Sequence, residues 1–138
     1  VLFTNKQGTE VAAAHAGWRG LCDGILEETV KCFRAPTQDI IAWLGPAIGP
    51  TAFQVERNVV EQFAAFDLSA STAFKPDPTQ EGKYLGNLYQ IAEQRLNKLG
   101  IREIFGGHHC TVNEKELFFS YRREGKTGRM ASVIWFKP

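Results

Sequence analysis

Residues 1–20 read VLFTNKQGTEVAAAHAGWRG, and this stretch decides the predicted fold. Its two segments 1–5 and 10–15 have the composition of strands, and the polar KQG between them predicts a tight turn at Gly8. A short turn containing Trp18 and Arg19 follows, bracketed by glycines. Beyond Gly20, apolar residues recur with the period of an α-helix. The opening therefore predicts two strands, a glycine-rich turn and a helix.

The rest of the chain mixes helices with strands. Helices are predicted over 20–34, 56–66 and 87–99, and strands over 40–45, 53–55, 101–105, 116–123 and 129–136. The last two strands flank the turn-forming EGKTG, so we expect a hairpin there. Polar residues 67–83 predict a surface loop. This order of elements predicts an α/β fold with a mixed sheet.

The composition excludes several classes of function. A chain of 138 residues suits a single domain over 1–138, and a formal net charge of +1 gives no electrostatic case for nucleic acid or an anionic membrane. We find no apolar run of about 18 residues, so no transmembrane helix is expected. The three cysteines match no disulfide or metal spacing, and Cys22 and Cys32 fall on the predicted core face of a helix. Reduced thiols predict a cytoplasmic protein.

Residues 15–20 contain the first candidate site. His15 ends a predicted strand just before the glycine turn, a common position for functional side chains, although one histidine alone makes no zinc site. Arg19 offers a forked donor for phosphate or carboxylate, and the N–H groups of the following helix point at the same turn. The alternative is that Trp18 fills the core and Arg19 joins a surface ion pair. The spacing leaves both open.

Two further segments could carry chemistry. His108, His109 and Cys110 are consecutive, which suggests either a metal site or an activated thiolate, but also fits a loop with two exposed histidines and a half-buried cysteine. Residues 118–130, FFSYRREGKTGRM, include Arg122 in a basic cluster. That cluster predicts either an anion-binding rim or a solvated hairpin.

Four motifs resemble the YfiH family, also called laccase-domain, polyphenol-oxidase-like or purine nucleoside phosphorylase proteins. The motifs are HAGWRGL (15–21), WLGPAIGP (43–50) followed by FQV (53–55), the Cys110–Thr111 pair, and FFSYRR (118–123) followed by TGRMAS (127–132). They extend along nearly the whole chain. The resemblance implies a layered α/β/β/α sandwich with a mixed sheet.

The resemblance also implies a function. The family is similar to zinc-dependent enzymes that carry out phosphorolysis of purine nucleosides and deamination of adenosine, so we expect a purine nucleoside and phosphate as substrates. His15 matches a family zinc ligand and is the expected catalytic residue. Trp18, Arg19 and Arg122 are the expected substrate-binding residues, as pocket wall and anion support. Copper is not expected, because copper oxidases need many histidines and this chain has three.

The other two family zinc ligands, a distant histidine and the cysteine of a D-C-x-P segment, would precede Val1. Val1 also lies inside a predicted strand, so we expect the chain to be the C-terminal portion of a longer domain, with weak or absent zinc binding by itself. Two alternatives remain: a cysteine hydrolase using Cys110, and a non-catalytic truncated or binding domain. A homodimer that covers an open sheet edge is a further expectation.

Overall fold

The computed structural model describes residues 1–137, and the chain divides into two compact units. The first unit comprises Val1–Gly45, Ala92–Gly107 and the residues from Ala131 onward, and the second comprises Pro46–Ile91 and His108–Met130. The single domain expected from the sequence stays a prediction. The strands are β1 (Leu2–Asn5), β2 (Val11–Ala13), β3 (Ile40–Leu44), β4 (Gln54–Glu56), β5 (Phe74–Pro76), β6 (Lys83–Gly86) and β7 (Glu103–Gly106). The α-helices are α1 (Trp18–Asp23), α2 (Ile25–Lys31), α3 (Arg57–Phe66), α4 (Leu88–Lys98) and α5 (Tyr121–Glu124), and short 3-10 helices cover Thr37–Asp39 and Leu68–Ala73.

A four-stranded sheet in the order β2-β1-β3-β7 forms the first unit. β1 pairs antiparallel with β2 and β3, whereas β3 pairs parallel with β7, so the sheet is mixed as the sequence predicts. The unit buries six large apolar side chains almost completely: Phe3, Leu21, Leu26, Ile40, Leu96 and Ile101. Each contributes about 1.5–3 kcal/mol by leaving water. These buried side chains stabilise the first unit, in which the turn 15–20 follows β2.

The helix predicted over 20–34 is two helices, because Gly24 interrupts it. Gly24 has φ +93°, a left-handed conformation that glycine adopts without steric cost, and its N–H closes α1 on the carbonyl of Gly20. The left-handed residue ends α1, and α2 begins at the next residue, so the helix is not continuous. Cys22 is buried as predicted, but Cys32 is exposed, and its prediction as a core residue is wrong.

A three-stranded antiparallel sheet in the order β4-β6-β5 forms the second unit. Gly86 of β6 pairs with Phe74 of β5, and a Cβ at Gly86 would lie 2.7 Å from the Phe74 ring and 3.0 Å from Phe53. Only glycine permits that approach. Phe74 also packs on Phe63 of α3, with ring centroids 5.6 Å apart. The mixed α/β class, with two sheets and helices, is confirmed.

The hairpin predicted over 116–136 is wrong. Residues 121–124 form the short helix α5, and residues 125–137 contain no helix or strand. The Ser120 hydroxyl accepts the backbone N–H of Arg123 at 3.3 Å and so begins the helical turn. The side chain of Arg123 binds backbone carbonyls that a strand would need for pairing. Local side-chain hydrogen bonds therefore replace the strand pairing that the sequence predicts for 116–123.

The predicted surface loop over 67–83 is partly wrong. Asp67 accepts the backbone N–H of Ser69 at 3.0 Å and its hydroxyl at 2.9 Å, which begins the 3-10 helix, and β5 follows it. The remaining residues up to β6 are a turn as predicted. Within residues 1–137, no helix combines the length and the hydropathy that a membrane span needs.

Candidate functional site

His15 lies in extended chain between β2 and α1, and its side chain is exposed. The strand before it is fixed, because the N–H of Ala14 donates to the carbonyl of Val1 at 2.8 Å. The helix after it is fixed by the N–H of Leu21, which donates to the carbonyl of Gly17 at 2.8 Å. Hydrogen bonds therefore hold the backbone on both sides of His15, while its side chain is exposed to solvent.

Gly17 leaves room beside the imidazole. A Cβ at this position would lie only 3.0 Å from Nε2 of His15, which is closer than ordinary van der Waals contact. Among the hydrogen bonds and ion pairs of the described chain, none involves the ring of His15. An exposed imidazole with an accessible nitrogen can donate a lone pair to a metal.

Trp18 and Arg19 begin α1 directly after this turn. The Arg19 guanidinium lies 4.5 Å from the centroid of the Trp18 ring, within the range of a cation–π interaction. Trp18 is half-buried and Arg19 is exposed, and no ion pair of Arg19 occurs in residues 1–137. The stacked guanidinium thus keeps its N–H donors available. This geometry supports neither a core tryptophan nor a surface ion pair.

Arg122 belongs to the second unit, where it lies in α5. Its side chain is exposed, and Nη1 donates to the carbonyl of Gln54 at 3.3 Å. The structure therefore brings His15, Trp18 and Arg19 together on one turn of the first unit. The fourth predicted site residue, Arg122, lies in the second unit.

The residues present fit a zinc site only in part. Within the described residues, no group of three or more His, Cys, Asp or Glu side chains could hold a metal ion. His15 could occupy one position of a ligand set, because its side chain is exposed and its ring forms no hydrogen bond within the described residues. Zinc needs three protein ligands in a catalytic site. The described residues therefore do not by themselves provide the three ligands of a catalytic zinc site.

The carboxylate of Glu114 binds two residues of the candidate segment His108–Cys110. It accepts the backbone N–H of Cys110 at 2.5 Å, and its other oxygen lies 2.9 Å from Nδ1 of His109. The Cys110 N–H, and after it the His109 imidazole, holds the pKa of the Glu114 carboxyl below its usual range. His108 is exposed and Cys110 half-buried, as the simplest interpretation of the sequence predicts. His109 is half-buried instead of exposed.

The sulfur of Cys110 takes part in a structural contact. Sγ accepts the N–H of Gly49 at 3.2 Å, and a Cβ at Gly49 would lie 2.9 Å from Cβ of Cys110. Neither His108 nor His109 forms a hydrogen bond to this sulfur in the part of the chain that the structure describes. A cysteine nucleophile needs a base within hydrogen-bond reach. This geometry favours a packing role for Cys110.

The hydroxyl of Tyr89 joins the same two segments. It accepts the N–H of Ala47 at 2.7 Å and donates to the carbonyl of His109 at 2.8 Å. Burial raises the pKa of Tyr89 above its ordinary value. The sequence assigns no role to Tyr89 or Glu114, and it places Arg123 only in the basic cluster 118–130. Only Glu114 had a local signal, an acidic residue four positions after Cys110.

A cavity of about 540 Å³ also lies in the second unit. Arg57 and the residues 76–84 line it, so none of the four predicted site residues does. Asp77 in its wall is bound by Gln54 at 2.6 Å and by the Thr79 hydroxyl at 2.7 Å. The carboxylate of Asp77 therefore already has partners within the protein, and the cavity is separate from the four predicted site residues.

Comparison with known proteins agrees with the motifs. Residues 1–137 match the family model described as Multi-copper polyphenol oxidoreductase laccase. The chain is 70% identical over 137 residues to the purine nucleoside phosphorylase of Haemophilus influenzae, and 61% identical over 136 residues to purine nucleoside phosphorylase YfiH of Escherichia coli. These alignments cover 99% and 98% of this chain but 56% and 54% of the relatives, so the chain spans about half their length.

A solved structure agrees with the fold. The crystal structure of Neisseria meningitidis protein NMB0706 superimposes with a TM-score of 0.94 at 47% sequence identity, over 99% of this chain and 56% of that one. Sequence and structure therefore give the same result, and the chain belongs to the YfiH family, whose matching model carries the laccase description.

Proposed function

We propose that this chain is part of a purine nucleoside phosphorylase that uses zinc. The observation that carries the proposal is its 70% identity, along 99% of its length, to the purine nucleoside phosphorylase of Haemophilus influenzae. The geometry supports it, because the exposed His15 and the stacked Arg19 share one turn. Because the chain spans about half of that relative, the activity is proposed for the full-length protein.

His15 is the proposed zinc ligand in this chain. The resemblance to the family assigns the other two ligands, a histidine and a cysteine, to residues that precede Val1. Zinc bound there would act as a Lewis acid and lower the pKa of a water molecule. A side chain at position 17 would crowd Nε2 of His15, because a Cβ there would lie 3.0 Å from it. Copper is not part of the proposal.

Phosphate binding is the proposed task of the arginines. In phosphorolysis the glycosidic C–N bond breaks, a phosphate oxygen bonds to the anomeric carbon, and the purine leaves with a proton. Phosphate therefore has to be held next to the sugar in a fixed orientation. Arg19, with its guanidinium stacked on Trp18, and the exposed Arg122 have the forked donors that suit this anion. The Trp18 ring is the proposed wall of the nucleoside pocket.

Deamination of adenosine is the proposed second reaction. Water attacks carbon 6 of the adenine ring, its oxygen stays on that carbon, and the amino group leaves as ammonia to give inosine. This reaction needs no phosphate, so the two activities separate experimentally. The three cysteines are free thiols, which supports the further proposal that the protein acts in the cytoplasm.

The test uses the purified full-length protein with inosine and inorganic phosphate. We expect hypoxanthine and ribose 1-phosphate in equal amounts, with no base released when phosphate is omitted. Adenosine without phosphate should give inosine and ammonia. Base release that is independent of phosphate would identify a hydrolase instead, and a protein that leaves all purine nucleosides intact would contradict the proposal.

A further inference from the structure

Arg123 is bonded far more extensively than its neighbour Arg122. Its Nη1 donates to the carbonyls of Thr111 and Val112, each at 2.8 Å, and its Nη2 donates to the carbonyl of Phe118 at 2.8 Å. These carbonyls lie five to twelve residues earlier in the chain. One side chain thereby cross-links the segment 111–123.

Further bonds fix the same residue at its own position. Nη2 and Nε of Arg123 contact Oε1 of Glu124 at 2.6 and 3.1 Å, and the backbone N–H of Arg123 donates to the hydroxyl of Ser120. Ser120 is buried, and the Arg123 side chain is only 22% exposed. A planar guanidinium with fixed donors can make this set of bonds, whereas a lysine ammonium cannot span them.

Arg122 shows the opposite pattern on the adjacent residue. It is exposed, and its one hydrogen bond in the described chain is a long contact of 3.3 Å to the carbonyl of Gln54. Its backbone is nevertheless held in α5, which Ser120 and Arg123 begin and stabilise. The result is an available guanidinium on a rigid backbone.

We propose that Arg123 is a positioning residue that holds Arg122 ready to bind phosphate. The inference rests on the proposed function, because it names the residue that organises one of its phosphate ligands. Arg123 makes its bonds to the protein itself, so it touches neither nucleoside nor phosphate. Its contribution is preorganisation: without the cross-link, binding phosphate would have to order the segment as well.

The experiment compares Arg123→Met with Arg122→Met in the full-length protein, using inosine and inorganic phosphate. Loss of hydrogen bonds from a charged group should raise the KM for phosphate about tenfold in either variant, while the KM for inosine stays within about twofold. The double variant should be no worse than Arg122→Met alone, because the two residues act on one interaction. Arg34→Met is the matched control, since it removes a guanidinium whose side chain is 91% exposed and whose ion pair with Glu10 is long, at 3.5 Å.

Parallel rises in both KM values, or losses that add in the double variant, would overturn the proposal. Should Arg123→Met not fold, Arg123→Lys keeps the charge without the fork, and the same selective rise in the KM for phosphate is expected. If the wild-type protein has no phosphorylase activity, the proposed function fails separately. Calorimetric titration with inorganic phosphate then tests the inference: weaker binding to both variants supports it, and unchanged binding to Arg123→Met contradicts it.

Discussion

The turn 15–20 in the first unit and the segment 108–124 in the second use polar side chains in opposite ways. In the turn, the imidazole of His15 is exposed, and the Arg19 guanidinium stacks on the Trp18 ring without an ion pair to any of residues 1–137. In the segment, Glu114 and Arg123 direct their polar atoms to backbone groups. Hydrogen-bonding capacity is therefore left for ligands in the turn and is satisfied by the protein in the segment.

This contrast predicts that the two regions contribute differently to ligand binding and to folding stability. A group without a protein partner contributes little to folding, but it can bind a ligand without first breaking a bond. A group that satisfies buried backbone atoms stabilises its loop and is expensive to remove. Substitutions in the turn should thus alter ligand affinity at nearly constant stability, and most substitutions in the segment should do the reverse. Arg122 is the exception in the segment, since it is exposed.

The largest stability effect is expected for Gly49→Ala. The new Cβ would lie 2.9 Å from Cβ and 3.0 Å from Sγ of Cys110, and Gly49 is buried. The backbone segments around Gly49 and Cys110 have to move apart, which should lower the free energy of unfolding by about 2 kcal/mol. Urea denaturation of the full-length protein measures this loss, and an unchanged midpoint would show that the packing of the two segments is loose.

Tyr89→Phe should have the next largest effect. It removes the hydroxyl that accepts from Ala47 and donates to the carbonyl of His109, and both backbone groups lose that partner. We expect about 1–2 kcal/mol of destabilisation. Denaturation by urea gives the value. Tyr121→Phe serves as the control, because Tyr121 is 72% exposed and its hydroxyl forms no hydrogen bond within residues 1–137.

Gly17→Ala applies the same chemical change as Gly49→Ala to the other region. The backbone at Gly17 has φ −60°, which alanine adopts freely, and the atom that its Cβ approaches belongs to an exposed imidazole. Stability should stay within about 0.5 kcal/mol of the wild type. Zinc affinity of the full-length protein should fall about tenfold, because the ring of His15 has to move. A destabilisation as large as that of Gly49→Ala would remove the contrast between the regions.

The smallest effect is expected from pH. Because the folded protein holds the pKa of Glu114 below its usual range, this carboxylate stabilises the turn 110–114 fully above its unfolded pKa. That stabilisation is lost as the pH falls through the folded pKa. Amide hydrogen exchange of Cys110, corrected for its intrinsic pH dependence, should show less protection in acid. Glu114→Gln should abolish this acid dependence, and an identical dependence in that variant would assign it to another group.

The sequence predicts the first unit better than the second, for physical reasons. β1 and β2 follow from strand-like composition on either side of the turn at Gly8, and β3 follows from a short apolar run, so prediction and structure agree. The break at Gly24 leaves the apolar spacing nearly intact and is therefore hidden. Residues 116–123 have the composition of a strand. In the structure, however, the Ser120 hydroxyl accepts the N–H of Arg123, and the Arg123 side chain donates to the carbonyl of Phe118.

The residues of the candidate site also differ in how far their placement could be predicted from the sequence. His15 and Arg19 were predictable because their position depends on adjacent residues, a strand end and a glycine turn. Tyr89 was not, because its hydroxyl acts on Ala47, 42 residues away in the chain. Residues whose partners are distant in sequence leave no pattern to find.

The measurement that tests the account most directly is the zinc content of the full-length protein carrying His15→Ala, compared with His109→Ala. Both variants remove one imidazole, but only His15 is proposed as a ligand, whereas His109 contacts Glu114. The account predicts that His15→Ala is purified without zinc and that His109→Ala keeps the wild-type content. Wild-type zinc content in His15→Ala would contradict it.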